Sequence, residues 1–312
     1  LDAPEPQIFP SPTDSFRMRA EFRVWHDGED LDFVMFERER PRVAIKISAF
    51  PFGSEGIQSL LEPLRAVLQG NAILRIKLFQ VEFLSTLSGE CLVTLIYHRK
   101  LDEAWTQEAT KVEQSLNIKL IGRSRGQKLV VSDDWVIETL QADGCPFTYK
   151  QPEQAFIQPN ATVNQEMLSW ACAHAQNTDQ DLLELYCGVG NFTIPLSKHY
   201  RRVLATEVSK VATRAAQDNS VLNGVSNVAF ARLAAEEVTQ ALNGEREFHR
   251  LKSLEPPLYD YDLSTVFVDP PRSGLDEGTT RLCQKFNHIL YISCNPLTLI
   301  DNLRSVRETH RI

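Results

Sequence analysis

The chain has no long hydrophobic run. Nothing in its 312 residues is apolar enough, for long enough, to cross a bilayer as a helix. It also lacks paired cysteines. Cys91, Cys145, Cys172, Cys187, Cys283 and Cys294 are scattered, none as CxxC and none flanked by His at metal-ligand spacing. No metal is therefore expected, neither zinc nor an iron–sulfur cluster. No signal peptide is evident, and unpaired thiols suit a reducing compartment, so the cytoplasm is expected. Positive charge is in deficit: 33 Lys and Arg stand against 41 Asp and Glu, a net charge of −8. That excludes a uniformly basic nucleic-acid binder but leaves room for a local basic stripe. The chain begins at Leu1, not Met, and stops at Ile312 just after a predicted helix, so both ends read as the ends of a fragment.

What is present is an ordinary globular composition, 43% hydrophobic and 24% charged, in a chain long enough for two domains. Four prolines in the first dozen positions make residues 1–14 an extended arm. From Phe16 the pattern alternates. Phe16, Met18, Ala20, Phe22 and Val24 share one face; Arg17, Arg19, Glu21, Arg23 and Trp25 share the other. Period two predicts a half-buried strand, and Asp27-Gly28 turns it back into a hairpin. Three arginines and a tryptophan on one face suit phosphates and a stacked base, although a solvated strand face has the same look. Further strands are predicted over 43–50, 77–84, 91–98, 118–121 and 128–131, with helices over 54–68 and 102–116. A basic turn carries Arg123 and Arg125. This α+β half holds no catalytic motif, and its end is placed near residue 150.

Phe156-Ile-Gln-Pro-Asn160 is a polar turn before a helix predicted to run from Val163 to Gln176. Gln158 offers both a donor and an acceptor, which suits the edge of a pyrimidine. From Asp181 the pattern changes to strands at 182–186, 203–206, 228–233, 265–268 and 289–292. Helices lie between them and after the last. Such alternation means a parallel sheet with helices on both faces.

Three strand ends carry the candidate chemistry. The first, LLELYCGVGNF (182–192), runs into a glycine turn where Gly188 and Gly190 let backbone approach a ligand closely. Its spacing is not G-x-G-x-x-G, which counts against a pyrophosphate. The second strand ends at Glu207, placed to accept from ribose hydroxyls, and Ala234-Ala-Glu236 after the third offers a place for an adenine. Together these fit S-adenosylmethionine better than a nicotinamide dinucleotide. The fourth ends in Asp269-Pro-Pro-Arg272, a rigid turn that holds a carboxylate at the sheet edge. One strand later, Leu290-Tyr-Ile-Ser-Cys294-Asn-Pro296 sets a cysteine at the corresponding end, where open α/β sheets place ligands. A lone cysteine is most often a small buried hydrophobe; its neighbours make this one a candidate nucleophile.

LLELYCGVGNF, FVDPPRSGLD (267–276) and YISCNP (291–296), with FIQPN (156–160) and RMRAEFR (17–23) upstream, closely resemble the tRNA (uracil-5-)-methyltransferases, over nearly the whole chain. The resemblance implies a Rossmann-like S-adenosylmethionine-dependent methyltransferase domain over 151–312, preceded by an α+β RNA-binding domain over 1–150. It implies Cys294 as nucleophile and Gln158, Tyr186, Gly188, Asn191, Glu207 and Asp269 as binding positions; the strand face of Arg17, Arg19 and Arg23 is the expected RNA contact. It further implies 5-methyluridine formation at position 54 of the T-loop, with tRNA as the partner of a monomer. Relatives acting on ribosomal RNA carry an N-terminal cysteine cluster and a small β-barrel. Neither is visible, which favours tRNA. The family's proton acceptor is a Glu in a His-x-Glu segment some thirty residues beyond the cysteine motif. The chain stops before it, so the last strands of the sheet are expected to be missing. Two other readings stay open: an RNA-binding and folding protein without turnover, and an N-methyltransferase that uses Asp269-Pro-Pro and leaves Cys294 idle.

Overall fold

The computed structural model describes residues 4–37, 39–176 and 178–312. Its first half is built on a seven-stranded sheet. In chain order the elements are β1 (Arg19–Asp27), β2 (Asp30–Phe36), β3 (Ala44–Lys46), α1 (Glu55–Gly70), β4 (Leu78–Ser85), β5 (Cys91–Tyr97), α2 (Glu103–Leu116), β6 (Lys119–Ser124) and β7 (Gln127–Val130). The strand order is β3-β2-β1-β4-β5-β6-β7; only β5 and β6 pair in parallel, across α2. Both helices start where the sequence supplies a cap. Ser54 Oγ accepts from Ile57 N at 3.2 Å, and an Asp102 oxygen accepts from Trp105 N at 2.9 Å. Their apolar stripes, Ile57, Leu61, Leu64 and Leu68 on α1 and Trp105 and Ala109 on α2, pack with Phe22, Phe33 and Phe83 of the sheet.

Next comes a two-stranded ribbon, β8 (Trp135–Ala142) and β9 (Cys145–Pro152). Val136, Leu140, Phe147 and Tyr149 of the ribbon pack into one cluster with Leu84, Leu92 and Ile121 of the first sheet and with Leu168, Leu182 and Phe192. The ribbon bridges the two halves, and its tie to the second is specific. Fully buried Asn219 stitches it there, accepting from Lys150 N at 2.7 Å and donating to Lys150 O at 3.3 Å. Where ribbon meets first sheet, Arg123 holds the buried Glu153 carboxylate through two 2.6 Å hydrogen bonds, and Lys128 stands 3.3 Å away. Burial opposes ionisation of Glu153; these cations outweigh it and hold the carboxyl below its ordinary range.

The second half runs α3 (Ala161–Ala173), β10 (Thr178–Leu185), α4 (Thr193–Leu196), β11 (Tyr200–Thr206), α5 (Lys210–Leu222), β12 (Val228–Ala231), α6 (Ala235–Leu242), β13 (Leu263–Val268), α7 (Glu277–Cys283), β14 (His288–Tyr291) and α8 (Pro296–Val306). The five strands are all parallel, in the order β12-β11-β10-β13-β14. The order reverses between β10 and β13, the switch point at which doubly wound sheets open a crevice. The first helix between these strands is short: α4 has one turn, and Ser197–His199 tighten into a 3-10 turn. No helix among the described residues is long and apolar enough to cross a membrane.

Gly122 on β6 is required by space. A methyl group there would come within 2.5 Å of the buried Trp105 ring and 2.6 Å of Leu101 Cδ1. Gly122→Ala should therefore lose roughly 1–3 kcal/mol by overpacking. Urea unfolding should show this as a lower midpoint with an unchanged slope.

Candidate active site

The turn after β10 opens the site. Tyr186, Gly188 and Gly190 all take positive φ, at 62°, 56° and 84°, so the chain folds back on itself and presents backbone outward. The left-handed region is free for glycine but unusual for tyrosine. The turn is tied down from several sides. A Glu207 oxygen accepts from Gly188 N at 3.1 Å, and its other oxygen accepts from Ser209 N at 2.7 Å. Asn219 donates to Val189 O at 2.9 Å, and the Tyr149 hydroxyl donates to Asn191 O at 2.9 Å.

Above this turn lies a small cleft, partly open to solvent. Gln158, Tyr186, Gly188, Asn191 and Asp269 all line it. The sequence reading names these five from three separated motifs, and the fold brings them together. Gln158 Nε2 donates to Asp269 Oδ2 at 3.1 Å. Glu207 stands one layer behind, under the Gly188 amide. Phe192 packs against Phe267 below, ring centroids 4.7 Å apart.

Cys294 takes a different position. It is exposed and is not part of the cleft wall. It follows β14, which pairs with β13 up to Val268–Tyr291, and Ile292 N donates to Val268 O at 2.9 Å. The loops carrying Asp269 and Cys294 therefore leave the sheet from adjacent strand ends. Asn295 holds the cysteine loop by capping α8, its Oδ1 accepting from Leu297 N at 3.1 Å, and its Nδ2 donates to Arg272 O at 3.0 Å.

The arginines divide. Arg17 is exposed and lines a separate groove with Phe16, Phe50 and Phe52. Arg23 is half-buried, its guanidinium 3.9 Å over the Phe79 ring, and Phe79 packs on His98 at 4.2 Å. Arg19 turns inward: its guanidinium donates to Glu153 O at 3.0 Å and Ala155 O at 3.1 Å. Alternation puts Arg19 on the same face as Arg17, but the segment after β9 covers that face at this point. Burial lowers its pKa.

Three carboxyls in or beside the cleft are perturbed. Burial pushes Asp269 up to about 6. Burial pushes fully buried Glu184 on β10 up to about 8, and the Asp269 carboxylate adds to the shift. Burial pushes Glu138 on β8 up to about 7, against the pull of the Leu87 and Thr139 amides that donate to it. The sequence reading passes over Glu184, Glu138, Tyr149 and Asn164. A signal existed for Glu184, a carboxylate inside an otherwise apolar parallel strand. None existed for the other three.

Among the described residues, Asp143, Cys172 and His199 form one grouping of metal-ligand type, with ligand atoms within 4.8 Å of one another. Spacing along the chain does not reveal it, because three separate elements assemble it. None of the three lines the cleft. Burial, with the Asp143 carboxylate, pushes the Cys172 thiol up to about 12, which leaves a buried protonated thiol beside the Asp143–His199 contact of 3.6 Å.

The sequence profile of the family described as tRNA (Uracil-5-)-methyltransferase matches residues 1–312. The tRNA/tmRNA (uracil-C(5))-methyltransferase of Acinetobacter baylyi is 51% identical over 315 residues, covering 100% of this chain and 87% of that protein. The protein of the same name from Pseudomonas fluorescens is 51% identical over 312 residues, covering 100% and 86%. In three dimensions the chain is similar to the Pyrococcus abyssi tRNA (uracil-54, C5)-methyltransferase, solved in complex with S-adenosyl-L-homocysteine. The TM-score is 0.67, with 94% of this chain and 70% of that one covered; at 17% identity this likeness bears on the fold alone. The chain belongs to the tRNA (uracil-5-)-methyltransferase family.

Proposed function

We propose that the chain methylates C5 of a uridine in tRNA, position 54 of the T-loop, through a covalent adduct between Cys294 and uracil C6. The observation that carries this reading is the convergence of Gln158, Tyr186, Gly188, Asn191 and Asp269 on one cleft, with Cys294 at the adjacent strand end. The donor set fits S-adenosylmethionine. The glycine turn presents backbone, and a Cβ at Gly188 would meet nothing within 4 Å, so that side is open to a ligand. Gln151 Oε1, in the cleft wall, is buried without a hydrogen-bond partner among the described residues. When bound, S-adenosylmethionine supplies an electrophilic methyl group on a sulfonium.

Uracil C5 is a poor nucleophile, and the chain's own residues make it a better one. The Cys294 thiolate adds to C6, breaking the 5,6 double bond and moving an electron pair onto the C5–C4–O4 enolate. Ionised Asp269 accepts from the uracil N3–H, and the Gln158 amide orients beside it on the pyrimidine edge. C5 then takes the methyl group. A base removes the C5 proton, the double bond re-forms and the thiolate leaves. An exposed nucleophile beside a buried grip suits a base delivered from a large RNA, turned out of its stack. On the RNA side, Arg17 with Phe16 and Phe52 offers a cation beside two rings 6.0 Å apart, a setting for a phosphate and a base.

Fluorine at C5 cannot leave as a proton does, so tRNA containing 5-fluorouridine should trap the adduct. A denaturing gel should show a slow protein–RNA band that requires S-adenosylmethionine and vanishes in Cys294→Ala. A parent protein that binds tRNA and cofactor but gives no band rules out the adduct. A Cys294→Ala variant with full turnover points instead to the N-methyltransferase reading.

Because burial raises Asp269 to about 6, the accepting carboxylate is lost as pH falls through that value. kcat/KM should therefore rise with pH across about 5 to 7. Asp269→Asn should lack that limb and be slower by roughly 10- to 100-fold, the cost of a charged hydrogen bond. A flat parent profile would remove Asp269 from the pyrimidine grip.

The divided arginines give opposite results. Arg17→Ala should make the salt dependence of tRNA affinity shallower by about one unit of slope. Arg19→Ala should leave that slope alone and lower the unfolding midpoint, since it strips the donor from the Glu153 and Ala155 carbonyls. Equal slopes for Arg17→Ala and parent would assign Arg17 to an idle surface.

A further inference from the structure

The cofactor turn has a second support, supplied by the segment that carries Gln158. Asn164, in the first turn of α3, is buried, 4% exposed. It meets Asn191 in a reciprocal amide pair: each Nδ2 donates to the other's Oδ1 at 2.9 Å. The Tyr149 hydroxyl holds the Asn191 carbonyl at the same time. Asn191 is thus fixed at both its main chain and its side chain. The pair uses one N–H and one lone pair on each amide, and each amide carries two of both. Asn191 lines the cleft, so its remaining N–H and lone pair are available there in a plane set by Asn164.

The same short segment is tied at its other end. Gln158 donates to Asp269 at the end of β13, and Asn160 caps α3 by accepting from Val163 N at 3.0 Å. One stretch of seven residues, 158–164, therefore touches both strand ends that flank the switch point. At 158 it meets the proposed pyrimidine grip, and at 164 the proposed cofactor turn.

We propose that Asn164 is a positioning residue for the methyl donor, setting the side-chain plane of Asn191 so that its free amide edge meets the cofactor. It acts through Asn191 and touches no reacting atom. The inference rests on the functional reading above, and its test separates the two. The measurement is a double-mutant cycle on S-adenosyl-L-homocysteine affinity by calorimetry, using the parent chain, Asn164→Ala, Asn191→Ala and the double variant. Asn164→Ala should bind about ten-fold more weakly, and the double variant should bind like Asn191→Ala alone. In turnover, Asn164→Ala should raise KM for S-adenosylmethionine while kcat at saturating donor stays within about two-fold. A merely structural residue would show neither the coupling nor the split.

If Asn164→Ala does not fold, Asn164→Asp replaces it, keeping the shape and one of the two hydrogen bonds. Losses that multiply in the double variant overturn the proposal. So does parent-like affinity in the single variant, or a fall in kcat at unchanged KM. A folded parent chain that binds no S-adenosyl-L-homocysteine overturns the functional reading, and this inference with it.

Discussion

Between Leu185 and Phe192 the backbone enters the left-handed region three times, once at a tyrosine. A non-glycine residue there costs of order 1–3 kcal/mol and persists only where its surroundings over-determine it. The surroundings are visible. Glu207 holds the Gly188 amide, Asn219 the Val189 carbonyl, Tyr149 the Asn191 carbonyl and Asn164 the Asn191 amide. These four side chains come from four different parts of the chain. Glu207 follows β11, Asn219 lies on α5, Tyr149 on β9 and Asn164 on α3. The turn is the point at which sheet, ribbon and helices agree on one geometry. Releasing it would leave buried amides and a carboxylate without partners, each costing about 1–3 kcal/mol.

That constraint explains the ribbon. A two-stranded hairpin is at best marginal alone. Here it gains a core by laying Phe147 and Tyr149 against Leu168 and Leu182, and it supplies the Tyr149 hydroxyl in return. It also brings Glu138 and Gln151 to the cleft wall. The result is a site whose floor is apolar and whose polar groups are few and fixed. Low polarity raises the carboxyls unequally. Burial raises Glu184 further, to about 8, than it raises Asp269, to about 6. Two acidic groups in one place are thus shifted unequally because one is fully enclosed and the other reaches the cleft.

The parts of this molecule legible in the sequence are those fixed by local pattern. Strand–helix alternation after Asp181, the glycine turn and the strand ends at Asp269 and Cys294 depend on residues adjacent in the chain, and five of the named site residues do share a cleft. What was not legible depends on which distant segment covers a given face. Arg19 alternates with Arg17 and Arg23 as a surface residue would, yet the carbonyls of Glu153 and Ala155, more than a hundred residues on, turn it inward. Glu138 occupies an inward position of β8 between Val136 and Leu140, a break in alternation that hides the ribbon. Asn164 looks like any polar residue in the first turn of a helix until Asn191 is placed beside it.

The junction of the two sheets links the Arg17 surface to the cleft. Met18 N donates to Pro159 O at 2.8 Å, Arg17 forms an isolated bridge with Asn160, and Asn160 Nδ2 donates to Ser11 Oγ at 2.8 Å. The chain leading into β1 is thus bonded directly to the turn that carries Gln158. Its two flanking residues divide the work. Met18 is buried and anchors to Pro159, while Arg17 points out beside Phe16 and Phe52. Arg17 therefore sits on the same backbone framework that locates Gln158, one residue before Pro159. Main-chain hydrogen bonds thus fix the backbone at Arg17 relative to the turn that carries Gln158. Under the proposed function, a substrate much larger than the cleft would meet Arg17 and Asp269 on one continuous backbone framework, with the exposed Cys294 loop leaving the adjacent strand end.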